Sequence, residues 1–180
     1  IGYLTIEKSI YELRKLKQDH PIIEIQDLFD HIQSQYQSQS FDIEFVKRGL
    51  RLLHEWGICI YFDNPIELSN IVVLDPQHFT KTILGDLFKA DESIRQLRSN
   101  GIIDYSQLNK IWNGPSHLVD TYLSLLQKFE VCFIIEEQQN ENQKKLIIPN
   151  LLSEDKTKII EEKLEKKWPT TIPRGEIEIE

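Results

Sequence analysis

The sequence contains no methionine, only two cysteines in 180 residues, and seven glycines that are scattered rather than clustered. Because a natural chain begins with methionine, we expect an internal piece of a longer protein. Two cysteines are too few for a disulfide framework. Both lie in apolar runs, Cys59 in GICIYF and Cys132 in EVCFII. This pattern predicts buried, reduced thiols in a cytosolic protein.

The motifs of nucleotide and metal enzymes are also missing. No glycine opens a G-x-x-x-x-G-K-[ST] or G-x-G-x-x-G phosphate loop, and the kinase motifs H-R-D and D-F-G are absent. His54-Glu55 begins like H-E-x-x-H, but no second histidine follows, and the five histidines do not recur at metal-ligand spacing. We therefore name no catalytic, cofactor-binding or metal-ligating residue. An unrecognised small enzyme is a hypothesis without a residue constellation to support it.

Long hydrophobic runs and an excess of positive charge are lacking as well. No stretch approaches the roughly 18 apolar residues of a membrane span, so we expect no transmembrane segment. The 21 basic and 29 acidic residues give a net charge of −8, whereas nucleic-acid binding needs a concentrated positive face. With 40% hydrophobic and 28% charged residues, the composition is typical of a globular protein.

Helical periodicity is clear in the first part of the chain. It predicts a first helix over residues 4–18, a second over 25–36 and a third over 43–56. Asp42 stands where an N-cap belongs, and Gly57 stands where a helix-ending glycine belongs. The first third of the chain is therefore predicted to be helical.

Two short apolar runs, residues 58–62 and 71–74, follow the third helix and predict a β-hairpin with a long loop. Asp75-Pro76 then has the N-cap and N1 chemistry of a helix start. The second half is similar: residues 101–112 predict a short helix, residues 116–129 a long one, and VCFIIEE and KKLIIP a second hairpin. The polar stretches QSQYQSQS and QQNENQ are predicted to be mobile loops.

The two halves can be aligned on each other. An offset of 73 residues carries Leu50 onto Leu123, Cys59 onto Cys132 and Pro76 onto Pro149. The fold class predicted is α+β, mainly helical, with two tandem winged-helix-like units in which a helix-helix-hairpin pattern repeats. In the first unit the long helix has basic residues that are balanced by acidic ones. These residues are Lys47, Arg48 and Arg51 against Asp42, Glu44 and Glu55.

The C-terminal part differs from the rest. Ile160, Leu164 and Trp168 stand four residues apart in a charge-rich stretch, which predicts a connecting helix over 153–170. This helix either packs on the preceding units or is free to bind a partner. Residues 176–180, EIEIE, alternate strictly and predict the first strand of a truncated next domain within 171–180.

Several of these runs resemble a known family. The run LRLLHEWGICIYFDNPIELSNIVVLDPQHF is similar to the COR segment (C-terminal of Roc) of Roco proteins, the group that includes the leucine-rich-repeat kinases. The runs NGIIDYSQLNKIW, YLSLLQKFEVCFII and LIIPNLL are similar to it too, as is GYLTIEK at the start of the chain. The resemblance implies that residues 1–152 are the first half of COR. It would comprise a first helix, 4–18, and units at about 20–90 and 91–152.

The resemblance also implies a function. COR is a non-catalytic interaction and relay module that docks on the adjacent Roc GTPase and couples its nucleotide state to dimerisation and to a serine/threonine kinase domain. The implied partners are Roc and the second COR half of the same chain, in a homodimeric, cytoplasmic signalling protein with leucine-rich repeats. GTP or GDP with magnesium, and ATP for a kinase, would bind the parent and not this segment. The alternative left open is a winged-helix nucleic-acid-binding domain.

Overall fold

The computed structural model describes residues 2–36, 41–89, 101–112, 116–136 and 144–152. They form a mixed α+β structure that is mainly helical and has two small antiparallel sheets. The helices are α1 (Gly2–Leu16), α2 (Ile25–Gln35), α3 (Ile43–Glu55), α4 (76–88), α5 (Leu108–Ile111) and α6 (Ser116–Lys128). The strands are β1 (Ile22–Glu24), β2 (Ile60–Tyr61), β3 (Ile71–Val73), β4 (Ile102–Asp104), β5 (Phe133–Glu136) and β6 (Lys144–Ile147).

Helix α4 is not uniform along its length. It begins at Pro76 behind Asp75, whose side chain accepts a hydrogen bond from the Gln77 backbone N–H. The middle, Phe79–Leu84, is π-helical, and the last turn, Gly85–Phe88, is α-helical again. The Asp-Pro start predicted from the sequence is therefore present.

Both sheets have the same strand order. The last strand of each hairpin lies in the middle, giving β1-β3-β2 and β4-β6-β5. In the first sheet Val73 pairs with both Ile22 and Ile60. In the second sheet Ile147 pairs with both Ile102 and Phe133, so Ile147 is the counterpart of Val73.

The long helices α3 and α6 also correspond, because an offset of 73 residues carries Ile43–Glu55 onto Ser116–Lys128. The sheet register adds one residue to this offset, since Ile147 and not Leu146 stands in the place of Val73. The second hairpin is thus one residue longer than the first. The sequence alignment that carried Pro76 onto Pro149 missed this insertion.

Two three-residue strands were not predicted. Residues Ile102–Asp104, expected to open a short helix, form β4 instead, because β6 offers them an antiparallel partner. The helix begins later, with a 3-10 turn at Tyr105–Gln107 and then α5. In the first unit β1 precedes α2 in the same way. Each hairpin is therefore part of a three-stranded sheet.

Two core clusters share the first sheet between them. Ile23, Tyr61 and Val72 face one side and pack with α1, α2 and α3. Ile60 and Val73 face the other side and pack with α4 and with the second unit, since successive strand residues point to opposite faces. Leu53 and Leu126, both predicted to be core residues, are fully buried, one in each cluster. The two units are thus packed directly against each other.

Some predictions lie outside the described residues. These are the connecting helix at 153–170, the strand within 171–180, and the stretches at 37–40 and 138–143. Within the described ranges, no helix is long and apolar enough to cross a membrane.

Candidate functional site

The nucleophilic side chains are buried. Cys59 and Cys132 are 1% and 0% exposed, and burial raises the pKa of each thiol to about 12. A thiol in that state is an inert core residue rather than a nucleophile. The described ranges bring no three histidine, cysteine or acidic side chains together at metal-binding distance.

The histidines are dispersed over the described surface. His31 Nε2 lies 3.2 Å from Glu12 Oε2, and the His54 ring packs edge-on against Phe62 at 5.0 Å. His20 Nδ1 lies 3.3 Å from the Tyr122 hydroxyl, a contact between the two halves of the chain. His78 lines a cavity beside this contact. His31 and His54 thus lie at separate places, whereas His20 and His78 line the same cavity.

The basic residues of α3 have partners within the protein. Arg51 donates two hydrogen bonds to Asp63, Nε to Oδ2 at 2.6 Å and Nη2 to Oδ1 at 2.9 Å. Lys47 Nζ lies 3.0 Å from Glu44 Oε1, and the Arg48 guanidinium lies 6.0 Å from the Phe45 ring centre. These cations are therefore engaged in contacts on the first unit.

Tyr61 extends the bridge between α3 and the hairpin, because its hydroxyl donates to Asp63 Oδ1 at 2.9 Å. The hydrogen bonds from Arg51, and then from Tyr61, hold the pKa of Asp63 below its ordinary value. Burial, followed by the hydrogen bond to Asp63, raises the pKa of Tyr61 to about 12. The three side chains thus form one charge-assisted network.

Helix α1 is fastened to the first unit by Arg14. Its Nε donates to the Leu74 carbonyl oxygen at 2.8 Å, and its Nη2 donates to the Ile58 carbonyl oxygen at 2.6 Å. Leu74 follows β3 and Ile58 follows α3, so one guanidinium joins three elements. The sequence offered no sign of this role, because both acceptors are backbone atoms distant along the chain.

The junction between the two units is aromatic. The Phe129 ring lies 5.7 Å from Phe62 and 5.7 Å from Phe79, and Lys128 Nζ lies 5.2 Å from the Phe62 ring centre. Trp112 Nε1 donates to the Ile83 carbonyl oxygen at 3.0 Å. The second unit is therefore anchored both on the first hairpin and on α4.

Two cavities open at this junction, with volumes of about 420 and 350 Å³. The larger has a mixed polar and apolar lining that includes His20, His78, Asp86 and Tyr122. The smaller is mostly apolar and is lined in part by Cys59, whose thiol is buried.

A partly exposed aromatic surface lies where the first turn of α1 meets the start of α3. We call Tyr3, Leu4, Phe41 and Phe45 the leading aromatic surface. Tyr3 stacks on Phe45 with ring centres 5.1 Å apart, and Phe41 stacks on the same ring at 5.3 Å. Tyr3 is 41% and Leu4 is 59% exposed. Phe41 and Phe45 are half-buried and pack against the core of the first unit. Clustered apolar side chains that are partly exposed in this way are typical of protein-binding surfaces.

Comparison with known proteins places the chain in a family. A family model described as "C-terminal of Roc, COR-A domain" matches residues 1–152. A probable serine/threonine-protein kinase roco11 of Dictyostelium discoideum is 35% identical over 127 residues, which cover 69% of this chain and 8% of the relative. Cyclic GMP-binding protein C of the same organism is 28% identical over 174 residues, 88% of this chain and 6% of the relative.

A third relative, a probable serine/threonine-protein kinase pats1 of Dictyostelium discoideum, is 31% identical over 116 residues, 62% of this chain and 4% of the relative. The chain thus spans less than a tenth of the length of each of these three relatives. This chain belongs to the COR-A domains of Roco proteins.

Proposed function

We propose that this chain is a non-catalytic docking and relay module that binds the Roc GTPase preceding it and transmits its nucleotide state to dimerisation and to an effector kinase domain. The family description "C-terminal of Roc" supports an adjacent Roc domain. The kinase names of two relatives support an effector kinase in the parent. Such a parent would bind GTP or GDP with magnesium, and ATP, outside this chain.

The observation that carries the proposal is the attachment of α1. Ile6 and Ile10 are fully buried in the core of the first unit, and Arg14 hydrogen-bonds two backbone carbonyls of that unit. A displacement imposed on α1 therefore moves the whole unit with it. Packed cores switch between discrete arrangements rather than stretching, so the relay acts through position and not through refolding.

The leading aromatic surface is the proposed Roc contact. It lies on the first turn of α1 and on the neighbouring start of α3, so a domain joined to α1 is already beside it. Tyr3 and Leu4 are exposed, and Phe41 and Phe45 are half-buried. A partner that covers this surface would bury further apolar area, and aromatic rings are ordered at little entropic cost. Arg48, over the Phe45 ring, adds a cation at the rim.

The domain organisation is part of the same proposal. Residues 1–152 act as the first COR half, with winged-helix-like units at about 20–90 and 91–152. The shared strand order of the two sheets supports this division. Residues 153–170 then act as a connecting helix, and residues 171–180 begin the second COR half.

The parent is further proposed to be a homodimeric, cytoplasmic signalling protein with leucine-rich repeats. The alternative of a nucleic-acid-binding winged helix gains no support from the described residues. The three cations of α3 are engaged with Glu44, Phe45 and Asp63, whereas DNA affinity depends on cations that are free to contact phosphate.

Calorimetric titration of this chain with the purified Roc domain of the same protein tests the docking surface. The double variant Tyr3→Ala/Phe45→Ala should raise the dissociation constant at least about tenfold. The control Leu16→Ala removes a side chain that is 74% exposed at the other end of α1, and it should leave binding unchanged. Equal affinities for all three proteins would overturn the proposed Roc contact.

The relay is tested by hydrogen exchange on a longer Roc–COR chain, compared between its GDP-bound and GTP-analogue-bound forms. Protection around Leu50–Leu53 and Leu123–Leu126 should be the same in both forms, with differences confined to the chain ends and the leading aromatic surface. Loss of protection throughout both cores would mean that the module refolds.

A further inference from the structure

Among the described residues, the second sheet has a partly apolar face that belongs to neither core cluster. Ile102, Phe133, Ile135 and Ile147 share this side of the sheet with the paired charged residues Asp104 and Lys145, and we call this side the outer face. Phe133 is 52% and Ile135 is 38% exposed, whereas Ile147 is 6% exposed. The opposite side of the sheet packs into the core that joins the two units.

The first sheet shows how an equivalent face is covered. Its corresponding row is Ile22, Val73 and Ile60. Val73 is only 2% and Ile60 only 7% exposed, and both lie in one core cluster with residues of α4, among them Phe79 and Ile83. Helix α4 follows β3 directly along the chain. In the first unit, therefore, the segment after the last strand helps to cover the sheet.

The chain leaves the second sheet next to the outer face. The Ile148 backbone N–H donates to the Gly101 carbonyl oxygen at 2.8 Å. A Cβ on Gly101 would lie 2.8 Å from the Leu152 nitrogen, so only glycine permits this approach. Leu152, the last described residue, thus lies against Gly101, which precedes Ile102 of the outer face.

The following sequence suits that face in pattern and length. Ile160, Leu164 and Trp168 recur every four residues, and the charged side chains between them are mixed in sign. In a helix the nine residues from Ile160 to Trp168 would span about 12 Å. Three strands span about 10 Å from the first to the third. Covalent attachment also gives the segment a high effective concentration at this surface.

We propose that residues 153–168 of this chain dock on the outer face of the second sheet, with Ile160, Leu164 and Trp168 covering Phe133 and Ile135. In both units, the segment that follows the hairpin would then cover one face of the sheet. The position of everything that follows residue 168 is fixed relative to the second unit by this contact.

Thiol labelling of the complete 180-residue chain tests the proposal. Ile135→Cys reports on the outer face, and Ile66→Cys, at a side chain that is 82% exposed in the first hairpin loop, is the reference. The native thiols add little background because both are buried. The reporter should react at least about tenfold more slowly than the reference, since reaction requires local opening.

The triple variant Ile160→Ser/Leu164→Ser/Trp168→Ser, called the stripe variant, removes the apolar side chains of the segment. In this variant Ile135→Cys should be labelled as fast as the reference Ile66→Cys. The matched control Lys158→Ser/Lys163→Ser/Lys167→Ser removes as many side chains from the same segment and should leave the reporter protected. Equal labelling of reporter and reference in the otherwise unsubstituted chain would overturn the proposal. The proposal would also be overturned if Ile135→Cys stayed protected in the stripe variant and lost that protection when the protein was diluted. A second copy of the chain would then be covering the outer face.

If the stripe variant unfolds, Cys59 and Cys132 will become labelled. Disulfide cross-linking then tests the proposal in its place. Phe133→Cys is paired in turn with Leu164→Cys and Trp168→Cys, and the chains are oxidised at low concentration. A disulfide within one chain in either pair supports docking. Only intermolecular disulfides, or none in both pairs, would overturn it.

Discussion

Helices α3 and α6 end in the same hydrogen-bonded cap but with different residues. Gly57 N–H donates to the His54 carbonyl oxygen at 2.8 Å, and Glu130 N–H donates to the Gln127 carbonyl oxygen at 2.9 Å. Both residues have positive φ, 70° for Gly57 and 58° for Glu130. The second unit thus keeps the backbone path while placing a side chain where glycine is favoured. The path is imposed by the cap and the packing that follows it, and not by glycine.

The two units differ more in what is attached to them. The first has α1, fastened by Arg14, and the Arg51–Asp63–Tyr61 network. The offset of 73 residues puts Ser124 at the position of Arg51, so the second unit lacks that bridge. The first unit is therefore stabilised in two ways that the described part of the second lacks. Arg14 joins α1 to it, and Arg51, Asp63 and Tyr61 join α3 to its hairpin. Four sets of substitutions test this comparison.

The largest effect is expected in the cores. Leu53→Ala and Leu126→Ala, at fully buried counterparts, should each lower the free energy of unfolding by about 2–5 kcal/mol. Because the first sheet contributes to both core clusters, each variant should shift one shared transition. Urea denaturation followed by circular dichroism measures this. Two separate transitions, with Leu53→Ala moving only one of them, would contradict a shared fold.

Arg14 comes next. Arg14→Ala removes a charged donor from two carbonyl oxygens at 2.8 and 2.6 Å, and we expect a loss of about 2 kcal/mol in unfolding free energy. Arg14→Lys should restore only part of it, because an ammonium does not reproduce the planar two-donor geometry. Lys15→Ala, an exposed neighbour, is the control. If Arg14→Ala and Lys15→Ala were equally stable, α1 would not be fastened by this residue.

Sequence patterns located the regular elements but not what joins them. Periodicity placed α2, α3 and α6 within one or two residues of their bounds, since an apolar stripe is a local signal. The strands β1 and β4 were missed because three residues carry too little pattern, and their stability comes from pairing with β3 and β6. Arg14 was missed for a related reason, because its acceptors are 44 and 60 residues away.

The caps allow a finer comparison. No atom lies within 4 Å of a Cβ built on Gly57, so Gly57→Ala probes backbone conformation alone and should cost about 1–2 kcal/mol of unfolding free energy. Glu130→Gly removes the same strain but gives the unfolded chain more freedom. We expect it to stabilise the protein by less than about 1 kcal/mol. Thermal unfolding of both variants checks the opposite signs. A loss of stability in Glu130→Gly would mean that its side chain makes a compensating contact.

The smallest effect concerns Asp63. Its pKa is lowered by hydrogen bonds from Arg51 and Tyr61, so the stabilisation is present above the ordinary aspartate pKa and is lost as pH falls through the lowered value. The Arg51 and Asp63 side chains are 47% and 42% exposed, which limits the gain to roughly 0.2–1 kcal/mol. Asp63→Asn should therefore be less stable than the parent at pH 7, and the difference should shrink only as pH falls below about 4 towards the lowered pKa. Urea titrations at pH 7 and at a series of values below about 4 measure the difference, and Glu67→Gln is the control for removing an exposed carboxylate from the same loop. A constant difference at all pH values would mean that the hairpin depends on the shape of Asp63 and not on its charge.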